Sequence, residues 1–252
     1  MNDLVYGEKS LRELGFAIKH YPIHSVAKRD IELQKISGRN GDLIISNGGY
    51  LNVDMPPYEI NTIDLQYFPD KSLVEQTLIS WLMTGEPEYK TLIDSTKPGF
   101  FTKAICTEIG EINTNNLLGY LSTTLYFNRV PFWYSYEGQR VKMLYADPDG
   151  YENSFYAPDY VTNDCLPCFK VKNTTSSAIS ATININDTVI VAQLAANDYI
   201  EFDSETQETY KGSTNRSGDV QCGYLPILKP GKNTYQITVG CEIELIPRWC
   251  CL

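Results

Sequence analysis

The chain has 252 residues, enough for one large domain or two ordinary ones, each burying its own core. With 42% hydrophobic and 21% charged residues it has the composition of a folded globular protein, not of a disordered or membrane one. A formal net charge of −10 argues against gripping nucleic-acid phosphates or an anionic membrane, which takes clustered Lys and Arg.

No apolar run approaches the roughly 20 residues of a membrane span. The first residues, MNDLVYGEKSLREL, lack the apolar core of a signal peptide. The expected product therefore stays in the cytoplasm where it is made.

From Leu14 to Ile63, short apolar stretches alternate with turn signals. Lys35–Ile36–Ser37–Gly38–Arg39–Asn40–Gly41–Asp42 sets two glycines around Asn40, and Ser46–Asn47–Gly48–Gly49 follows Leu43–Ile44–Ile45. Asn-Gly pairs suit the positive φ of tight hairpin turns, so successive hairpins are expected here. Met55–Pro56–Pro57 excludes a central strand position, because proline has no N–H for the ladder.

One helix is predicted over 72–84. Ser72 precedes Glu75 by three residues, the spacing of a capping box, and Leu73, Val74, Thr77, Leu78, Trp81 and Leu82 form an apolar stripe. Gly85 and Pro87 supply the stop, and the stripe is expected to cover a sheet. A shorter helical turn is expected at Glu88–Asp94.

Beyond Lys97–Pro98–Gly99, the run Leu121–Phe127 reads as a strand leading to the aromatic cluster Pro131–Tyr136. The composition then shifts to Gly, Asp, Asn and Tyr, with Asp147–Pro148–Asp149–Gly150 a strong turn. A domain boundary is placed near residue 140, dividing the chain into 1–140 and 141–252. In the second part Ala181–Asn186, Thr188–Val191, Tyr199–Asp203 and Thr234–Val239 alternate apolar and polar residues, with turns at Asn186–Asp187 and Pro230–Asn233. Many short strands with turns between them indicate a β-sandwich.

Candidate chemistry is sparse. His20 and His24 have the i, i+4 spacing of metal ligands on a helix, but Pro22 lies between them and no Glu follows His20. Two exposed loop or strand histidines are expected. Cys165–Leu166–Pro167–Cys168 has CxxC spacing, and Cys222 with Cys241 would complete a four-thiolate zinc site, yet a zinc ribbon shows a second close pair. A thioredoxin-type motif opens a helix, whereas this one precedes the strand-like Phe169–Val171. Reduced, mostly buried thiols are expected of all seven cysteines, with no metal or cofactor.

Glu201, Asp203 and Glu205 share one face of a strand, the placement of a calcium site or glycosidase carboxylates, but also of an ordinary solvated edge. Exposed aromatics such as Trp133 and Tyr134 would make a saccharide platform if flat and open to solvent. No GxSxG elbow, Walker loop or dinucleotide fingerprint is present. A protein without an active site is expected, with a carbohydrate-binding module or adhesin, and then a cell-wall glycosidase, as the alternatives.

Leu14–Gly15–Phe16, the Ser37–Gly41 hairpin, Ser80–Trp81–Leu82 and Leu125–Tyr126–Phe127 running into Pro131–Phe132 resemble the N-terminal half of the distal tail proteins, Dit, of long non-contractile-tailed bacteriophages. Ile200–Glu205 and Leu228–Asn233 look like that family's C-terminal sandwich. The resemblance implies a mainly β chain: an N-terminal split β-barrel with one helix and an extended hairpin belt, then a galectin-like β-sandwich. It implies a structural virion protein at the tail tip, a homo-hexameric ring leaving a channel for DNA and linking the tail tube to the adsorption apparatus.

By the same resemblance, its partners are the tail tube protein, a tail-associated protein, and baseplate or receptor-binding proteins on the outward half. The hairpin around Gly38, Arg39, Asn40 and Gly41 is the candidate for reaching between subunits. The second half has no histidine and only Trp249 as tryptophan, so a galectin-type saccharide site is not expected.

Overall fold

The computed structural model describes residues 3–20, 23–63, 70–115 and 120–252. Among the described residues the fold is mainly β with one α-helix. The chain divides into two compact units, one running up to Trp133 and including Leu252, the other Tyr134–Cys251.

The first unit is built on a curled antiparallel sheet. Its strands run in the spatial order Lys9–Ser10, Leu4–Tyr6, Lys90–Asp94, Phe100–Ile109, Tyr120–Arg129, Tyr58–Thr62 and Phe16–His20. The two ten-residue strands form its spine, and their register shifts at Tyr126/Phe127. Such a bulge bends a strand and increases its twist, which helps the sheet curl. Its concave side is filled by Tyr6, Tyr58 and Phe127, with Phe127 centred 5.3 Å from Tyr6 and 5.9 Å from Tyr58 in inclined contacts.

The helix spans Lys71–Leu82 and buries Val74, Leu78, Trp81 and Leu82. Each such side chain removed from water is worth about 1.5–3 kcal/mol, so this stripe more than propensity holds the helix in place. Trp81 Nε1 donates to the Tyr6 carbonyl at 3.1 Å, satisfying the indole inside the core. The cap differs from the expected Ser72–Glu75 box: Asp70 is the N-cap, its carboxylate accepting from Leu73 N at 2.9 Å. An aspartate before Lys71 captures the orphan amide first and leaves Ser72 within the first turn.

The helical turn expected at Glu88–Asp94 is instead the strand Lys90–Asp94, with Leu92 and Asp94 buried on alternate positions. It lies between Leu4–Tyr6 and Phe100–Ile109, and pairing on both edges overrides local preference. The prolines Pro56–Pro57 fall between the strands Val53–Asp54 and Tyr58–Thr62.

The second unit is a two-sheet sandwich. One sheet runs Lys142–Tyr145, Cys241–Ile246, Cys168–Asn173, Tyr199–Asp203, Glu208–Lys211 and Thr214–Asn215. The other runs Asn153–Tyr156, Lys232–Ile237, Ile179–Ile185, Thr188–Leu194 and Val220–Gln221. Inward residues are the alternate ones the sequence marks: Ala181, Ile183 and Ile185 on one sheet, Val171, Ile200, Phe202 and Ile243 on the other. Phe169 and Phe202 stack with centroids 4.7 Å apart. The hairpin after Ile185 turns on Asn186, whose φ of 52° is the left-handed conformation Asn tolerates, and its amide reaches Ile227 O and Asn233 Oδ1.

Candidate assembly surface

The strands Arg29–Gln34 and Leu43–Tyr50 form a two-stranded sheet of their own, projecting from the first unit as an arm. Its tip carries the four residues singled out in the sequence. Gly38 and Gly41 have φ of 80° and 83°, the left-handed region that a Cβ disfavours, and Arg39 N closes a turn onto Ile36 O at 3.2 Å. A Cβ on either glycine would meet no atom within 4 Å, so the glycines serve the turn, not a close approach.

The register separates the arm's two faces. Leu33 lies opposite Ile44 and Ile31 opposite Ser46, while Glu32 and Gln34 lie opposite Ile45 and Leu43. Paired residues share a face, so Ile31, Leu33 and Ile44 make an apolar stripe on one side. Leu33 is 60% and Ile44 65% exposed. A two-stranded ribbon is marginal in water by itself, and an uncovered aliphatic pair facing solvent adds to the cost. This stripe, more than the tip, is the chemically distinctive part of the arm.

The root of the arm is fixed rigidly. Leu51 N bonds to Lys28 O at 2.8 Å, and the Tyr50 ring meets Phe132 edge-on at 5.8 Å. Buried Arg129 donates to the carbonyls of Ser25, Val130 and Pro131 at 2.7–2.8 Å. Asp94, fully buried, accepts from His24 Nε2 at 3.0 Å, Tyr58 OH at 2.7 Å, and the Thr96 amide and hydroxyl at 2.8 and 2.7 Å. Burial alone would raise its pKa, but hydrogen bonds from His24, Thr96 and Tyr58 outweigh it and hold the carboxyl at about 2.

The sequence-predicted chemical groups are not brought together. His20 is exposed at the end of Phe16–His20, whereas His24, expected to be exposed, is half-buried against Asp94 and the Trp133 ring, whose centroid lies 5.0 Å away. Trp133 is 1% exposed and packs beneath Lys97 and Arg129, so it offers no saccharide platform. Burial likewise pushes the Tyr134 hydroxyl pKa upward.

Asp203 holds Arg248 in a fork at 2.7 and 2.8 Å, Glu205 lies 3.4 Å from the same guanidinium, and Glu201 is 3.5 Å from Lys170. The acidic run is thus neutralised by cations instead of converging on a cleft. Cys165 lies against Cys250, not Cys168, while Cys222 is exposed and Cys241 buried. Among the described residues no three His, Cys, Asp or Glu side chains converge as metal ligands, and no helix is long and apolar enough to cross a membrane.

No family sequence model matches the chain, and neither does the sequence of any curated protein. Its fold is nonetheless found among solved structures. The SPP1 Dit protein, described as a paradigm of the hub adsorption apparatus in phages infecting Gram-positive hosts, is similar with a TM-score of 0.74 at 11% identity, over 97% of this chain and 98% of that one. Chains of the phage P2 baseplate in its activated conformation, with Ca and with Sr, are similar with TM-scores of 0.50 at 12% identity, over 97% of both chains. Over 97% of its length this chain has the fold of SPP1 Dit, as the resemblance to the distal tail proteins implies.

Proposed function

We propose that the chain is a structural protein of a phage tail tip, a hub subunit that works through interfaces instead of an active site. The observation that carries this reading is the fold likeness to SPP1 Dit over nearly the entire chain, together with an arm whose apolar stripe faces solvent. On this reading the protein is made in the host cytoplasm and ends in the virion.

Six copies close into a ring around a channel for DNA. In a ring each subunit presents one surface to a different surface of its neighbour, and the arm with Ile31, Leu33 and Ile44 supplies one of the two. The half up to about residue 140 builds the ring against the tail tube protein and a tail-associated protein. The half beyond it, the galectin-like sandwich of the resemblance, faces outward and holds baseplate or receptor-binding proteins. The net charge of −10 suits a conduit that does not retain passing DNA. No cofactor, membrane or sequence-specific nucleic-acid contact has a part in this role.

The carbohydrate-binding alternative loses its support with the burial of Trp133, and the glycosidase alternative with the pairing of Asp203 and Glu201 to Arg248 and Lys170. Native mass spectrometry and negative-stain microscopy test the proposal. A closed particle near six times 28.5 kDa is expected for the wild type. Leu33→Ser with Ile44→Ser, or Gly38→Pro with Gly41→Pro, is expected to leave monomers of unchanged fold. Intact rings in both double variants would remove the arm from the interface, and a monomeric wild type in the presence of its tail partners would remove the ring.

A further inference from the structure

The thiols of Cys165 and Cys250 form a buried pair that the assembly role does not use. Their sulfurs are 3.5 Å apart, and the side chains are 1% and 3% exposed, respectively, as residues. Both backbones are pinned. Cys165 exchanges hydrogen bonds with Leu228 at 2.8 and 2.9 Å, while Ser135 N bonds to the carbonyl of Trp249, next to Cys250, at 2.9 Å. Cys250 N also points at Cys165 Sγ, 3.3 Å away.

We propose that Cys165 and Cys250 are a disulfide-forming pair, closed by a peroxide or by a glutathione-type disulfide. A disulfide bond needs the sulfurs to close from 3.5 Å to about 2 Å. The bridge closes a loop containing the strands from Cys168–Asn173 to Cys241–Ile246, most of the sandwich, and so restricts the unfolded chain.

The chemistry balances with Cys165 as nucleophile. The sulfur contact with Cys250 and the Cys250 amide, which donates to Cys165 Sγ, together lower the Cys165 pKa, while the same contact and burial raise that of Cys250. The Cys165 thiolate attacks peroxide oxygen, breaking the O–O bond and releasing hydroxide, and becomes a sulfenic acid. Cys250 sulfur then attacks Cys165 sulfur, its proton leaving with the sulfenic oxygen as water. Two thiols are oxidised and one peroxide is reduced to two waters. Glutathione disulfide reaches the same product by two exchanges that release two reduced glutathiones. Cys250–Cys251 is a strand of two residues, so local opening gives small oxidants access at modest cost.

The inference rests on thiol geometry and stands whether or not the chain forms a ring. The full chain is treated with hydrogen peroxide and, separately, refolded from guanidinium in a glutathione redox buffer. Intact mass is expected to fall by two hydrogens, and trypsin is expected to release the Met143–Lys170 peptide joined to Trp249–Leu252. Cys168→Ser and Cys251→Ser keep the cross-link, whereas Cys165→Ser and Cys250→Ser lose it. The bridged form melts about 5 °C or more higher, reversibly with dithiothreitol. The proposal is overturned if all seven thiols remain titratable after both treatments, if the bridge maps to Cys168 or Cys251, or if Cys165 proceeds to sulfinic acid without bridging.

Discussion

Asp94 is a carboxylate kept ionised inside the core of the first unit by donors from three other residues. Its folded pKa of about 2 lies below the ordinary 3.8, so the stability it contributes is present above about pH 4 and is lost as pH falls through 2. The difference corresponds to about 2 kcal/mol. Asp94→Asn is therefore expected to flatten the acid limb of a fluorescence-monitored pH titration relative to wild type, and Asp94→Ala to cost about 3 kcal/mol in urea. Gly138 is the opposite kind of constraint. A Cβ there would stand 2.3 Å from Trp249 N, and that backbone cannot yield because Arg248 N already bonds to Gly138 O at 2.7 Å. Gly138→Ala is expected to destabilise the second unit by about 3 kcal/mol, read from the denaturation midpoint of near-UV dichroism. Neither constraint is legible in the sequence, because Asp94 depends on His24 and Tyr58 and Gly138 on Trp249, all remote from it along the chain.

At the scale of the element, the helix and the arm illustrate two ways in which local sequence and tertiary context share the outcome. The stripe Leu73, Val74, Thr77, Leu78, Trp81 and Leu82 announces the helix, and the fold buries Val74, Leu78, Trp81 and Leu82 of it while leaving Leu73 exposed. Its cap differs from the Ser72 box, since Asp70 and Ser72 are both good N-cap residues and it is Asp70 whose backbone is extended and whose carboxylate meets Leu73 N. Asp70→Ala is expected to cost about 1 kcal/mol by chemical denaturation, and Ser72→Ala a few tenths. Glu88–Asp94 shows tertiary pairing winning outright, for Leu92 and Asp94 alternate inward only because strands flank them on both sides. In the arm, the tip was readable from Gly38 and Gly41, but the apolar stripe needed the register that sets Leu33 against Ile44. Since both side chains face solvent in the single chain, Leu33→Ser with Ile44→Ser is expected to change monomer stability by less than about 0.5 kcal/mol, so that loss of the proposed ring in this variant would not reflect unfolding.

For the whole molecule, each unit has a core of its own, which leads us to expect that residues 134–251 expressed alone unfold in one cooperative transition, with tryptophan fluorescence and dichroism coinciding. The acidic balance leads to a second expectation, that duplex DNA at physiological salt shows no mobility shift at micromolar protein. Composition, alternation and turn chemistry by themselves determined that the chain is mainly β, that one helix interrupts the first part, and that the second is a sandwich. These features are local, written within windows of five to fifteen residues where side-chain period and turn conformation leave few options. Only the tertiary structure decided which distant residues meet: Cys165 with Cys250 instead of Cys168, Asp203 with Arg248 instead of a partner carboxylate, His24 with buried Asp94 instead of solvent, and Trp133 in the core instead of on a platform. Such pairings are set by strand order and register across the sheets, and a one-residue change in register would reassign the face of every side chain in a strand.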